Sequence, residues 1–310
     1  MLTDPNPEKQ PIFSIVVAVY DHWDLLDGCL ASLSKEPSSF EVIVVDDGSH
    51  NAAPAPIVSW IDHFPINFVR QEHRGIAAAR NLGSQSARGR VILFLDADSR
   101  VKQGCLKALA DAVASSPQDG FFQLNLSGDC SMLTGRAEQL RLSAIQGYTL
   151  QPDGRIRYLN TAGFAVRREI LGKRLLFDPT VTRAEDTLLL AELSAHGVLP
   201  LFVHAASVQH IVPVSLLKCF KKDLRSGYLE RRAYDLIRSK RIAIRISNPE
   251  RLRMLRSMWR ISAQAGIGRP AWFVLVMRQL LQRIASSLPW PRGLGGTDEL
   301  TGRATKHATE

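Results

Sequence analysis

The sequence predicts an α/β fold built on a mainly parallel, Rossmann-like sheet with helices on both faces. The first observation is that an apolar segment, residues 91–95, runs directly into two carboxylates, Asp96 and Asp98. It is too short for a helix, and its β-branched and aromatic residues are typical of a strand buried on both faces. The second is that segments of strand length alternate with segments of helical periodicity, which indicates parallel strands joined by helices.

Taken in chain order, strands are predicted in short segments rich in apolar residues. These segments are residues 12–19, 40–45, 66–69, 91–95, 121–124, 161–168 and 199–203. Helices are predicted where apolar residues recur every three or four positions. They fall within residues 21–33, 54–63, 75–86, 106–113, 132–148, 168–171 and 186–196, and Gly197 suits the end of the last one. From residue 214 to about 284 the pattern is helical and basic, which predicts a helical C-terminal extension.

The composition is that of an ordinary globular protein. The 310 residues suffice for one large α/β domain or two smaller ones. Four widely separated cysteines without a C-x-x-C pair argue against a zinc site or a disulfide framework and favour a reducing compartment. No window reaches the roughly 18 apolar residues of a membrane span, and the first residues do not form a signal peptide. We therefore expect a cytoplasmic protein.

The net charge of +9 is unevenly distributed. Between Lys218 and Arg260 the chain has 14 lysines and arginines against four acids. Such a segment suits an acidic partner such as anionic lipid, nucleic acid or a phosphorylated substrate. The alternative is a set of solvated helix faces. An apolar run at residues 270–277, extended by Leu280 and Leu281, favours either contact with a membrane or packing of that helix on its own domain.

Three pairs of carboxylates follow predicted strands or turns. They are Asp46 with Asp47, Asp96 with Asp98, and Glu185 with Asp186. Because ligands of open α/β folds bind at the carboxyl edge of the sheet, the first two pairs are expected to meet there. Neighbouring acids repel each other, and a divalent cation with oxygen ligands relieves that repulsion. The alternatives are a β-turn at residues 46–49 and capping of the next helix by Asp98 or Ser99.

This set of side chains suits a nucleoside diphosphate. A carboxylate accepts hydrogen bonds from a base or a ribose, a cation neutralises the diphosphate, and an aromatic ring stacks on the base. Tyr20, just after the first predicted strand, would supply that ring.

Eight motifs in order resemble the inverting nucleotide-sugar glycosyltransferases of family 2, which have the A-type glycosyltransferase fold. They are residues 14–21, 46–49, 75–83, 96–98, 163–168, 177–179 and 185–186, and His210. The resemblance covers roughly residues 12–215. Each motif alone is weak, whereas their order and spacing together are specific.

The resemblance implies how the donor nucleotide is bound. Tyr20 stacks on the base, Asp47 binds the base, and Asp46 lies near the ribose. Arg80 and Asn81 line the donor side.

The resemblance also implies a metal and a base. Asp96 and Asp98 are similar to the metal motif, with Asp98 as the direct ligand, and His210 to a histidine near the metal or diphosphate. Asp186, beside Glu185, corresponds to the general base that acts on the acceptor. The alternatives are a core histidine at position 210 and a helix cap at position 186.

The sequence departs from the family pattern after the acid pair. A further acid and an arginine usually follow, where this chain has Leu188 and Glu192. The departure concerns hydrogen bonding to the acceptor and leaves the base unchanged.

The expected function is metal-dependent transfer, with inversion, from a nucleotide-sugar, a UDP-sugar, to a glycan or glycolipid, with Mn²⁺ or Mg²⁺ as the cofactor. A nucleotidyltransferase would carry a basic, glycine-rich loop after the first strand, where Tyr20 stands instead. A dehydrogenase would carry G-x-G-x-x-G there. A nucleic-acid-binding protein leaves the acid clusters unexplained, so we expect no nucleic-acid partner.

The resemblance and the charge pattern together predict the domain organisation. We expect a donor half at residues 12–125, an acceptor half at 126–215, a basic helical extension at 216–288 and a disordered tail at 289–310. The extension would favour the anionic inner face of the cell membrane.

Overall fold

The computed structural model describes residues 10–172, 174–211, 215–240, 248–263 and 266–287. The strands are β1 (Phe13–Val19), β2 (Phe40–Asp46), β3 (Ile66–Arg70), β4 (Val91–Asp96), β5 (Ser99–Val101), β6 (Phe121–Gly128), β7 (Phe164–Arg167) and β8 (Leu201–His210). The helices are α1 (Trp23–Leu33), α2 (Ala55–Val58), α3 (Ile76–Ser86), α4 (Cys105–Ser115), α5 (Leu133–Thr149), α6 (Arg168–Leu171), α7 (Glu185–Ala195), α8 (Leu216–Leu229), α9 (Arg231–Ser239), α10 (Asn248–Ile261) and α11 (Arg269–Ser287). Two 3-10 turns are Ser59–Asp62 and Thr161–Gly163.

The strands form one sheet in the order β3-β2-β1-β4-β7-β6-β8-β5. β1 to β4 are mutually parallel, and β6 is parallel to β8. β7 runs antiparallel to both of its neighbours, and β5 runs antiparallel to β8. The mainly parallel sheet predicted from the sequence is confirmed. Its practical consequence is that the carboxyl ends of β1, β2 and β4 lie side by side.

Helices cover both faces of the sheet, as predicted. Alternate residues of β1, such as Ile15 and Val17, pack with α1 and α4 in one core cluster. Val16 between them points to the other face and packs with α3 and α7. This alternation follows from the pleat of a strand that is apolar from Ile15 to Val19.

Several segments differ from their predicted form, and two of these differences affect the site. β8 extends seven residues beyond Val203 to His210, because its second half carries polar, partly exposed residues that an apolar run does not reveal. Ser99 opens the short strand β5, which the sequence did not predict, and the cap position of α4 is Gly104. The interpretation of Asp98 or Ser99 as a helix cap is therefore wrong. Gly197 does end α7, with a left-handed φ of 73°.

The C-terminal helices pack onto the sheet domain. α11 lies against α8 and α5, and α10 lies against α5. Close packing of α8 on α11 requires Gly227, where a Cβ atom would lie 2.3 Å from the backbone oxygen of Gln282. The predicted tail at 289–310 and the basic residues Arg241 and Arg245 lie outside the described residues. Among the described helices, none combines the length and hydropathy that a bilayer-spanning segment requires.

Candidate active site

Strand register brings the predicted site residues to one edge of the sheet. β1 lies between β2 and β4, with Val19 paired to Asp46 and Ala18 paired to Asp96. Tyr20 follows β1 directly, between the two acid motifs. The expected meeting of these motifs at the carboxyl edge is thus observed.

The acids after β2 organise the loop that leads into α3. Asp46 accepts a hydrogen bond from the backbone N–H of Ser49 at 2.8 Å and forms an ion pair with Arg70 at 2.6 Å. Asp47 accepts hydrogen bonds from the backbone N–H groups of Arg74 and Gly75, at 2.9 and 3.0 Å. The two carboxylates therefore hold this loop in shape at the carboxyl edge of the sheet. Nucleotide binding by the two acids stays a prediction.

Two histidines that the sequence did not single out flank Tyr20. The ring centroids of His73 and His50 lie 4.3 and 5.9 Å from that of Tyr20. Nδ1 of His73 is also 3.0 Å from Oδ2 of Asp47, so the ring is tied to the acid motif. Asp21 beside Tyr20 has a left-handed φ of 59°, and such backbone strain concentrates at functional sites. Isolated histidines form no periodic pattern. Their positions next to the motifs at residues 46–49 and 75–83 are the one signal that could have revealed them.

Asp96, Asp98 and His210 form a candidate metal site. Their ligand atoms all lie within 4.8 Å of one another. The pairing of Ser99 with His210 across β5 and β8 brings the histidine to Asp98, and Nε2 of His210 lies 3.1 Å from Oδ2 of Asp98. Oδ1 of Asp98 is buried without a hydrogen-bond partner among the described atoms. An orphaned carboxylate oxygen beside a second acid and an imidazole fits a divalent cation.

His210 lies between two carboxylates, because its Nδ1 is also 3.7 Å from Glu138. Burial alone would lower the pKa of His210, but Asp98 and Glu138 outweigh it and raise that pKa to about 10. Despite the burial of Asp98, which acts in the opposite direction, His210 lowers its pKa. The imidazole contacts acids where a core histidine would bond to backbone, so the core interpretation is wrong.

Arg80 connects the metal motif to the third acid pair, Glu185 and Asp186. This buried guanidinium on α3 lies 2.6 Å from Asp96 and also contacts Glu185. Its neighbour Asn81 bonds instead to the backbone of Phe177, donating to the carbonyl at 2.7 Å and accepting from the N–H at 3.0 Å. Arg80 therefore organises acids at the site, and the observed contacts of Asn81 hold α3 to the 177 loop. Donor binding by either residue stays a prediction.

Asp186 occupies the second position of α7. The helix begins at Glu185, and its cap position is Ala184, which has a left-handed φ of 61° and makes no side-chain cap. Asp186 is therefore not the N-cap residue, but its Oδ1 accepts a hydrogen bond from the backbone N–H of Thr187 in the first turn, at 2.6 Å. Burial, and then the charge of Glu185, raise the pKa of Asp186 to about 7. A carboxylate of that pKa suits a general base at neutral pH.

The residue two positions after the acid pair belongs to the core. Leu188 is buried in a cluster with Val181 and Ala233. An acid at this position would be buried among apolar side chains. Leucine at this position, where the family usually has an acid, therefore agrees with the packing of α7 against α9.

Known proteins similar to this chain agree with the family resemblance of its sequence motifs. The family model described as "Glycosyl transferase family 2" matches residues 14–175. The succinoglycan biosynthesis protein ExoO of Rhizobium meliloti is 29% identical over 236 residues, covering 72% of this chain and 67% of that protein. The glycosyltransferase EpsH of Bacillus subtilis, whose function is given as putative in its name, is 36% identical over 97 residues, which are 30% of this chain and 28% of EpsH.

Two solved structures share the fold. The mannosyltransferase PcManGT of Pyrobaculum calidifontis, in complex with GDP-Man and Mn²⁺, superposes with a TM-score of 0.64 at 16% identity, covering 92% of this chain and 88% of that one. Residues 1–349 of S. aureus TarS, in complex with UDP, superpose with a TM-score of 0.53 at 16% identity, covering 89% and 90%. At this level of identity the likeness shows the fold, which is the A-type glycosyltransferase fold expected from the sequence.

Proposed function

Because the chain belongs to glycosyl transferase family 2, we propose that it transfers a sugar from a UDP-sugar to a glycan or glycolipid hydroxyl with inversion. The observation that supports this best is the link made by Arg80. This one guanidinium joins Asp96, in the candidate metal cluster, to Glu185, beside the candidate base. Family membership also disfavours the nucleotidyltransferase alternative.

In this proposal the donor nucleotide lies at the carboxyl ends of β1 and β2. Tyr20 stacks on the base, with His73 beside the same ring. Asp47 and Asp46 accept hydrogen bonds from the base and the ribose. The solved structures of PcManGT and TarS support a nucleotide ligand here, since they are complexes with GDP-Man and UDP.

Asp98, Asp96 and His210 would hold the cation, either Mn²⁺ or Mg²⁺. A bound cation stabilises negative charge that develops on the diphosphate leaving group. The residues of this chain fit that role, since Oδ1 of Asp98 is buried and lacks a partner among the described atoms. Glu138 holds the far side of the His210 ring, as outer carboxylates do for metal-binding histidines.

Asp186 would remove the proton from the acceptor hydroxyl. Its raised pKa of about 7 balances availability of the carboxylate against basicity at neutral pH. Glu185 is already engaged by Arg80, which leaves Asp186 as the acid of the pair that turns to the acceptor. A single base opposite the leaving group favours in-line attack, and therefore inversion.

The acceptor class is proposed from relatives. ExoO is named for succinoglycan biosynthesis, and GgaA of Bacillus subtilis, 26% identical over 196 residues, for minor teichoic acid biosynthesis. Both names point to cell-surface polymers. We propose a glycan or glycolipid intermediate of such a polymer, modified at an anionic membrane surface.

The deciding experiment screens UDP-sugars with Mn²⁺ and measures both donor binding and UDP release. Tyr20→Ala should weaken binding of the accepted donor about five- to hundredfold, because stacking of a base on an aromatic ring contributes this much. Tyr20→Phe keeps the ring and should bind normally. Equal donor affinity in wild type and Tyr20→Ala would contradict the assigned donor site, and no binding of any nucleotide sugar would contradict the function.

A further inference from the structure

Helix α11 has an apolar outer face. Phe273, Met277, Leu280 and Ile284 are 56%, 47%, 50% and 43% exposed. Their spacing of four, three and four residues aligns them in a single stripe along the helix. Scattered exposed apolar residues are ordinary, whereas four large ones in one stripe on a 19-residue helix indicate a surface that binds something.

The opposite face of α11 provides the packing of the helix. Ala271 and Leu275 are buried against α5 and α10. Arg278 forms a bidentate ion pair with Asp223 of α8, at 2.8 and 3.1 Å. A helix needs one apolar face to pack on its domain, so the outer stripe is additional to what folding requires.

Helix α10 extends this apolar surface. Trp259 of α10 is exposed, and its ring centroid lies 6.2 Å from that of Phe273. We call the exposed apolar side chains of α10 and α11 the C-terminal apolar face.

The charge around the C-terminal apolar face is positive. Helices α10 and α11 contain seven arginines and one acid, Glu250. Glu250 lies 3.7 Å from Arg157 of the sheet domain. Exposed cations lie on the same two helices, including Arg256 and Arg260 on α10 and Arg283 on α11.

We propose that the C-terminal apolar face binds the surface of an anionic lipid bilayer. Aliphatic and aromatic side chains would enter the boundary between headgroups and acyl chains, and the surrounding cations would contact anionic headgroups. Charge complementarity selects this occupant over a second copy of the chain, which would bring the same positive charge to the contact. Tryptophan at the edge of the face suits a membrane–water boundary.

The helix that carries most of this face, α11, also approaches the candidate metal cluster with its opposite side. Nη1 of Arg278 is 3.9 Å from Glu138, and Glu138 in turn lies 3.7 Å from His210. A bilayer bound to α11 would therefore lie within a few side chains of the metal cluster. This proximity, which rests on the proposed function, would favour a lipid-linked acceptor over a soluble one.

The test is sedimentation of the full-length protein with vesicles, without donor or metal. The vesicles are pure phosphatidylcholine or an equimolar mixture of phosphatidylcholine and phosphatidylglycerol. We expect binding to the mixed vesicles that is lost at high salt, and little binding to the neutral ones. Leu280→Ser with Phe273→Ser should weaken binding at least about tenfold. Arg256→Gln with Arg260→Gln should weaken it roughly 25-fold, about fivefold for each charge.

Ile61→Ser provides the matched control, because Ile61 is 48% exposed and lies on the sheet domain. It should bind vesicles as wild type does. Equal recovery of wild type in the supernatant with both vesicle types would overturn the proposal. So would a dimer that Leu280→Ser with Phe273→Ser dissociates while vesicle binding is unchanged, since the face would then bind a second copy. UDP-sugar binding measured on the same samples separates failure of this proposal from failure of the proposed function.

Discussion

The buried guanidinium of Arg80 forms an ion pair with the partly exposed Asp96, with Nη2 of the arginine 2.6 Å from Oδ1 of the aspartate. The same guanidinium contacts Glu185, which lies 105 residues further along the chain. One cation therefore balances acids from β4 and α7. The guanidinium therefore holds Asp96 of the metal motif close to Glu185, the neighbour of Asp186.

Arg80→Gln should strongly destabilise the protein. Removing one partner of a buried ion pair leaves uncompensated charge and costs roughly 3–5 kcal/mol. Lys107→Gln is the control, because Lys107 pairs with Asp111 on the surface, where the loss should be at most about 1 kcal/mol. Chemical denaturation of both variants measures the difference. Similar unfolding free energies for the two would contradict the structural role of Arg80.

Manganese alone should stabilise the folded protein through Asp98. Ligands that bind only the native state raise its melting temperature. We expect Mn²⁺ to raise the melting temperature of wild type and of the control Asp111→Asn, but not that of Asp98→Asn. EDTA should reverse the shift and abolish UDP-sugar binding. A wild-type donor affinity that is indifferent to EDTA would remove the metal from the proposal.

Glu138 should act on metal affinity through His210. Outer carboxylates orient metal-binding imidazoles, and their loss typically weakens metal binding about 10- to 100-fold. Glu138→Gln should show this loss in a Mn²⁺ titration carried out well below its melting temperature. Asp223→Asn is the control, since it disturbs the same buried network at Arg278 without contacting His210. Unchanged affinity in Glu138→Gln would leave Glu138 with a packing role.

The sequence revealed the parallel part of the fold better than its antiparallel part. Most residues of β1, β2 and β4 are apolar and buried, with runs of four or five consecutive apolar residues, so both the strands and the acids after them could be predicted. β5 has three residues, and the outer half of β8 is polar, so neither leaves a local pattern. Their pairing is nevertheless what brings His210 to Asp98.

Contacts made by single side chains could not be predicted from the local sequence pattern either. Arg80 was expected on the donor side, and only the fold shows that it joins Asp96 to Glu185. His50 and His73 lie beside Tyr20 because two loops converge there, which no spacing in the sequence encodes. The apolar run at residues 270–277 was ambiguous for a related reason. Its residues divide between two faces of α11, so packing and exposure are both present.

The pH dependence of transfer should report Asp186. A general base acts only when deprotonated, so the rate should fall as the pH drops through the pKa of about 7. Below that pH the logarithm of kcat/KM should decline by about one for each pH unit. The measurement is kcat/KM against pH at saturating Mn²⁺. A flat profile from pH 8 down to about pH 5 would contradict a base of this pKa.

Asp186→Asn should separate catalysis from stability. The variant lacks the proton-accepting carboxylate, so transfer should fall roughly 100- to 10,000-fold while UDP-sugar binding survives. The same substitution should stabilise the folded protein, although it lowers the rate of transfer. Because the folded state raises the pKa of this acid, wild type binds more protons folded than unfolded between pH 3.8 and about 7, and its stability falls as the pH rises through that window.

Asparagine at position 186 avoids this loss of stability at rising pH, since its neutral amide carries no buried charge at any pH. Asp186→Asn should therefore melt higher than wild type at about pH 8, and the difference should shrink as the pH approaches the ordinary range of a carboxyl group. Asp178→Asn is the control, because Thr180 bonds to Asp178, and despite the opposing effect of burial the pKa of Asp178 is lowered. That substitution should not stabilise the protein. A variant at Asp186 with wild-type turnover on a verified acceptor, or with a lower melting temperature at alkaline pH, would show that Asp186 is not the buried base.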